Sequence, residues 1–326
     1  MSTLPYLPAG ALGLAPMEGV IDATTRALLC EQGGLDWVVT EFVRVTNTVL
    51  PPRTFYRLCP ELKTASRTTD GTPVHVQLLG SDPVMMANNA AQAARLGAAC
   101  IDINFGCPAK LVNRHDGGAS LLRRPAHMNA LIQAVGDALA PFNIPVTAKI
   151  RLGFDDKQLA LACARACEDA GARWLTVHAR TKKEGYRPPA HWEWVSRIRH
   201  AVRMPVVVNG DIQCLPDYWR ATSLSGCSQA MIGRGLLADP WLARRIKTWR
   251  ATGETIPATP WSVNAQTLLN YFERTHQDLP AKVVLSLLKQ WLNMMRLNNP
   301  VAEAHFHALK REKELPRLVD GLAATL

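Results

Sequence analysis

The chain has 326 residues, 48% of them hydrophobic and 20% charged, and carries a formal net charge of +10. No apolar run approaches the roughly 20 residues that span a bilayer, and the first 25 residues lack Lys and Arg and are broken by Pro5, Pro8 and Pro16, unlike a signal peptide. Eight cysteines without one CxxC pair fit the reduced thiols of a cytoplasmic enzyme better than a structural metal site. A basic protein of this size attracts polyanions, of which nucleic acid is the commonest in a cytosol.

Taken in chain order, short apolar stretches that read as strands recur at 12–15, 37–40, 74–78, 101–104, 146–150, 174–178, 206–209 and 230–233. Amphipathic segments of helix length separate most of them, at 83–96, 126–139, 156–170, 192–201 and 216–224, with Gly97 and Gly171 at two of the expected C-terminal ends. Eight strands alternating with helices predict an α/β fold of the (β/α)8 TIM-barrel type. An open doubly wound sheet is the alternative, weakened because no GxGxxG follows the first strand.

The alternation stops at Trp241. A linker-like stretch (253–260) leads to helical patterns at 262–276, 281–296, 301–313 and 316–324, which predict a small C-terminal helical bundle. The expected domains are therefore 1–250 for the barrel and 251–326 for the bundle. Residues 241–326 hold twelve Lys/Arg against seven Asp/Glu, half of the net charge.

In such a barrel the chemistry sits at the C-terminal ends of the strands. The fourth strand runs into Asn104-Phe105-Gly106-Cys107-Pro108. Gly106 allows a tight turn and Pro108 holds Cys107 extended, which presents a thiol just past the strand. A free cysteine is ordinarily a small buried hydrophobe; here the basic loop 109–125, with Lys110, Arg114, Arg123 and Arg124 around Gly117-Gly118, favours a reactive thiol. The octet leaves open whether it is nucleophile or acid. Other strand ends contribute Pro16, Met17 and Glu18, then Arg44, Gln77, Lys149 with Arg151, His178 with Arg180, Asn209-Gly210-Asp211 and Gly233-Arg234-Gly235. The last two sets suit a phosphate, and Lys149 with His178 suits the electron-rich ring of a reduced flavin.

At these residues the chain resembles the bacterial tRNA-dihydrouridine synthases. The likeness covers essentially the whole length: APMEG at 15–19, GCP at 106–108, KIRLG at 149–153, VHARTKKEGY at 177–186, NGD at 209–211 and IGRG at 232–235. TEFVRV at 40–45, CPE at 59–61 and KQWLNMMR at 289–296 are most similar to the C-type subfamily, which modifies uridine 16 of the tRNA D-loop.

The resemblance implies an FMN enzyme with NADPH, or NADH, as reductant. Hydride passes from the flavin to C6 of a uracil while a cysteine, matched by Cys107, protonates C5. It implies FMN binding by Pro16, Met17, Glu18, Gln77, Lys149, His178, Asn209, Gly210, Asp211, Gly233 and Arg234. It places tRNA against Arg44, Asn104, Tyr186, Lys289, Trp291, Arg296, Lys310 and Arg311. A monomer without membrane or protein partner is expected. The competing function is an FMN barrel acting on a small molecule, as in dihydroorotate dehydrogenases or ene-reductases, to which a basic helical tail would be of no use.

Overall fold

The structure is a computed structural model that describes residues 7–114 and 116–326, the side chain of Arg114 excepted. Eight strands form its centre: β1 (Leu12–Leu14), β2 (Trp37–Val39), β3 (Val74–Leu79), β4 (Ile101–Phe105), β5 (Val146–Arg151), β6 (Leu175–His178), β7 (Val206–Asn209) and β8 (Gln229–Ile232). All neighbouring pairs are parallel, and β1 pairs with both β2 and β8, so the sheet closes on itself. This is the (β/α)8 barrel, and the closing β1–β8 pair excludes the open sheet. A two-residue strand, Val43–Arg44, resumes the ladder along the end of β3 after Thr40–Phe42 loops out.

Helices follow the pattern in the sequence, with three informative differences. The helix expected from residue 156 begins only at Ala160, because Asp156 accepts from the Gln158 amide in a turn and Lys157 reaches out to Glu184. The segment 109–125 is not an open loop: it contains a helical turn (Lys110–Arg114) and a 3₁₀ helix (Gly118–Arg123). Two of its arginines turn outward, Arg123 to Asp155 (2.6 Å) and Arg124 to Asp116 (3.3 Å). Helix Ala23–Glu31, absent from the reading of the sequence, has a recognisable start: the Asp22 side chain accepts from the Thr25 amide at 2.7 Å.

Four helices follow the segment 253–260: Trp261–Thr275, Ala281–Met295, Pro300–Leu309 and Leu315–Ala323. Their apolar faces join the same core as the barrel's outer layer. Polar contacts fix the junction: Tyr271 Oη donates to Asp22 (2.7 Å), Trp291 Nε1 to the Leu237 carbonyl (3.0 Å) and Arg274 to Glu31 (2.8 Å). Among the described residues no helix is long and apolar enough to cross a membrane.

Candidate active site

Side chains of a barrel strand alternate between the interior and the surrounding helices. The outward set, such as Val76, Leu78, Ile101, Ile103, Ala148, Ile150, Val177 and Val208, belongs to the core shared with the helices. The intervening residues are polar towards the strand ends. Register then makes neighbours of them: Gln77 pairs with Asp102, Asn104 with Lys149, Arg151 with His178, and His178 with Asn209. The ends of five adjacent strands thereby line one cavity of about 720 Å³ at the C-terminal mouth, a size that suits a small-molecule ligand.

Cys107 sits on one side of this cavity, 9% exposed and packed beside Leu79 and Val112. Its loop is held at every backbone group nearby. Asn104 Oδ1 accepts from the Gly106 and Cys107 amides (2.8 and 2.9 Å), Arg151 Nε donates to the Gly106 carbonyl (2.8 Å), and the Cys107 carbonyl accepts from Asn113 Nδ2 (3.1 Å). Burial pushes the thiol up from its ordinary value, and Arg151 and Arg44 offset this only in part. The group is thus a protonated thiol at neutral pH, suited to give a proton.

The cavity is also cationic. Lys149 Nζ donates to Asn209 Oδ1 (3.1 Å), and Asn209 Nδ2 to the Met231 carbonyl (2.8 Å). Enclosure by the cavity walls, and then Arg151, lower the Lys149 pKa to about 8. His178 is held well below its ordinary pKa by burial and by Arg151, Lys149, Arg180 and Arg234, so its imidazole is neutral. Gly210 has φ +116°, and a Cβ there would lie 2.9 Å from His178 Cδ2; any other residue would displace that ring. Asp211 ion-pairs with buried Arg180 and lies 3.7 Å from Arg234, leaving a surplus of positive charge beside the glycines. Tyr186, 54% exposed, has the Arg151 and Arg234 guanidinium groups 5.1 and 5.0 Å from its ring centre.

The cavity wall contains Cys107 and all eleven residues expected around a cofactor, from Pro16, Met17 and Glu18 to Gly233 and Arg234, together with Asn104 and Tyr186. Arg44 is half-buried nearby, close enough to act electrostatically on Cys107. The C-terminal candidates divide. Trp291 is a correction: it is 4% exposed, bonded to Leu237 and packed edge-on to Tyr271, so it joins helix to barrel where no nucleic acid reaches. Lys289 spends its ammonium on the Glu312 carbonyl, and Arg296 on Asn293 (2.7 Å) with Glu303 beyond. Lys310 and Arg311 are exposed.

Arg151 has a larger part than its strand-end position suggested. Buried, it donates to the carbonyls of Gly106, Thr181 and Gly185, tying the Cys107 loop to the Tyr186 loop. Met294, from the second C-terminal helix, reaches the cavity wall as well. Nothing in the periodicity of 281–296 marks it, since its neighbours on that helix are ordinary core.

A family model described as dihydrouridine synthase (Dus) matches residues 13–319. The chain belongs to this family. It is 47% identical to the tRNA-dihydrouridine(16) synthase of Aquipseudomonas alcaligenes over 96% of this chain and 98% of that one. It is 45% identical to the enzyme of the same name from Pseudomonas syringae pv. tomato over 94% and 96%, and 42% to that of Shewanella oneidensis over 94% and 95%. Among solved structures, 2-naphthoyl-CoA reductase (TM-score 0.55, 12% identity, 74% of this chain and 51% of that one) and the histamine dehydrogenase of Rhizobium sp. 4-9 (0.54, 15%, 74% and 46%) share the fold.

Proposed function

We propose that this protein is a tRNA-dihydrouridine synthase that reduces uridine 16 of the D-loop, with FMN as cofactor and NADPH as reductant. The observation that carries the reading is the meeting of a protonated Cys107 thiol and the Lys149 ammonium in one cavity formed by family-matched strand ends.

The residues present fit FMN. The surplus of cations beside Gly210 and Gly233 suits its phosphate, and Lys149 with Asn209 suits the pyrimidine edge of its ring, where negative charge gathers on reduction. When bound, FMN supplies the redox chemistry, the delivery of hydride to C6 of the uracil. Cys107 Sγ–H gives its proton to C5, so two C–H bonds replace the C5=C6 double bond. The thiolate left behind is stabilised by Arg151 and Arg44 and regains its proton from solvent. Neutral His178 donates or accepts a hydrogen bond at the cavity wall without adding charge.

A uridine in the tRNA elbow must be extruded to reach this cavity. Exposed Tyr186 offers a face for stacking at the entrance, and Asn104 keeps one amide N–H free of its bond to Gln77. We assign residues 1–250 to the chemistry and 251–326 to holding tRNA, with Lys310 and Arg311 as phosphate contacts and the protein acting as a monomer. Cys107→Ala is expected to bind FMN and accept electrons from NADPH while losing about 10²- to 10⁴-fold in dihydrouridine formation. Normal product from that variant would remove the acid from Cys107. Mapping dihydrouridine in tRNA from a strain lacking the protein should reveal a loss confined to position 16.

A further inference from the structure

Asp102 lies one rung below the site, 2% exposed, and no step above uses it. Its carboxylate accepts from Thr147 Oγ1 (2.6 Å) and Gln77 Nε2 (2.7 Å). Gln77 Oε1 in turn accepts from Asn104 Nδ2 (2.8 Å), and Asn104 Oδ1 accepts from the Gly106 and Cys107 amides. The bonds form one directed chain from the barrel interior to the thiol loop. An ionised carboxylate can only accept, whereas a carboxamide has one accepting and one donating end.

We propose that Asp102 is a positioning residue whose acceptor-only carboxylate fixes the orientation of two successive amides, so that Asn104 presents oxygen rather than nitrogen to the Cys107 loop. With an acceptor at Asp102, Gln77 must turn its NH₂ inward and its oxygen to Asn104. Asn104 must then turn its NH₂ to Gln77, which leaves its oxygen for the two backbone N–H groups. Reversing the first partner reverses each amide in turn and sets the Asn104 NH₂ against the Gly106 and Cys107 amides, donor against donor. The loop then loses two buried hydrogen bonds and the thiol its fixed place. Burial raises the Asp102 pKa and Gln77, Thr147 and Lys149 oppose that rise, while both oxygens act as acceptors, Oδ1 from Thr147 and Oδ2 from Gln77.

This rests on Cys107 being the proton donor, and the test separates the two ideas. Asp102→Asn keeps size and shape but adds a donor. It should slow re-oxidation of the NADPH-reduced enzyme by tRNA by about 10- to 100-fold, as expected for a misplaced acid, with the rate of reduction by NADPH within about twofold of wild type. Cys107 in the same variant, followed by peptide mapping after iodoacetamide, should alkylate faster. Adding Gln77→Glu puts the acceptor one step along the chain: the asparagine at position 102 donates, the glutamate accepts at both ends, and Asn104 returns to its orientation.

Because Gln77 also lines the cofactor cavity, re-oxidation of Asp102→Asn/Gln77→Glu is read per flavin bound and should recover most of its rate, while alkylation, which needs no flavin, should be slow again. Thr147→Val removes one hydrogen bond without touching the polarity of the chain and should leave both near wild type. An Asp102→Asn protein like wild type in both readouts, a double variant that alkylates no more slowly than Asp102→Asn, or a Thr147→Val protein equally impaired, would overturn the proposal. If Asp102→Asn is too unstable to assay, the double variant decides: fold and slow alkylation regained together uphold the chain of amides, and failure of both rejects it. A wild-type protein inert towards tRNA would instead refute the function proposed above.

Discussion

The two ends of the barrel are built from the same strands and differ in how they treat charge. At the floor, Trp37, Trp174 and Cys100 fill the interior, and Gly13 is required because a Cβ there would overlap the Trp37 indole. His75, its ring 5.5 Å from that of Trp174 and tilted against it, has its pKa lowered to about 4 by burial alone. At the mouth, His178 is neutral too, but partly because four cations surround it. The floor excludes water and discharges its one imidazole; the mouth concentrates positive charge around a space that it leaves open. Stability and chemistry are thus separated by about two residues along each strand, roughly 7 Å of rise.

Substitutions that act on one end only would sharpen this contrast. The largest effect is expected from Trp174→Ala, which should destabilise the protein by about 3–5 kcal/mol, while flavin titration of the molecules that stay folded finds an unchanged affinity. A strong loss of flavin affinity would mean that floor and mouth are coupled. Next is Lys149→Met, which should weaken FMN binding by about tenfold, the loss of one charge-assisted contact, and should alter the response to pH. The Lys149 pKa is about 8 in the folded chain against an ordinary 10.5. The unfolded chain therefore holds the extra proton between those values, and the contribution of this residue to stability rises with pH across that window. Urea unfolding of the flavin-free protein between about pH 8 and 10 should show this rise as a difference that vanishes in Lys149→Met. Smallest, Lys310→Ala and Arg311→Ala should each lower the slope of log affinity for tRNA against log salt by about 1, with turnover at saturating tRNA unchanged.

The sequence was legible where local pattern and tertiary structure agree. The eight strands stand within two residues of their expected bounds because β-branched apolar runs bounded by turns have few other uses. The cavity residues were legible as a set because barrel topology sends every strand end to the same face. What remained hidden depends on contacts far apart in the chain. Arg151 reads as a strand-end cation, and only the fold reveals its three carbonyl partners on two loops. Trp291 sits in a basic, family-like motif, yet its indole faces Leu237. Asp102 looks like the polar half of an alternating strand; its bond to Gln77 needs the β3–β4 register. The arginines of 109–125 suggested a positive loop over the thiol, whereas Asp116 and Asp155 draw two of them away.

Met294 bears on how such enzymes diverge. Because a side chain of the C-terminal helices forms part of the cavity wall, and those helices share one core with the barrel, the region cannot be exchanged between relatives as an independent cassette. A chimera joined at the linker would carry a foreign surface into the cavity along with its new helices. Exchanging the region would therefore require matched substitutions on both sides of the seam, around Val20, Leu237 and Met294.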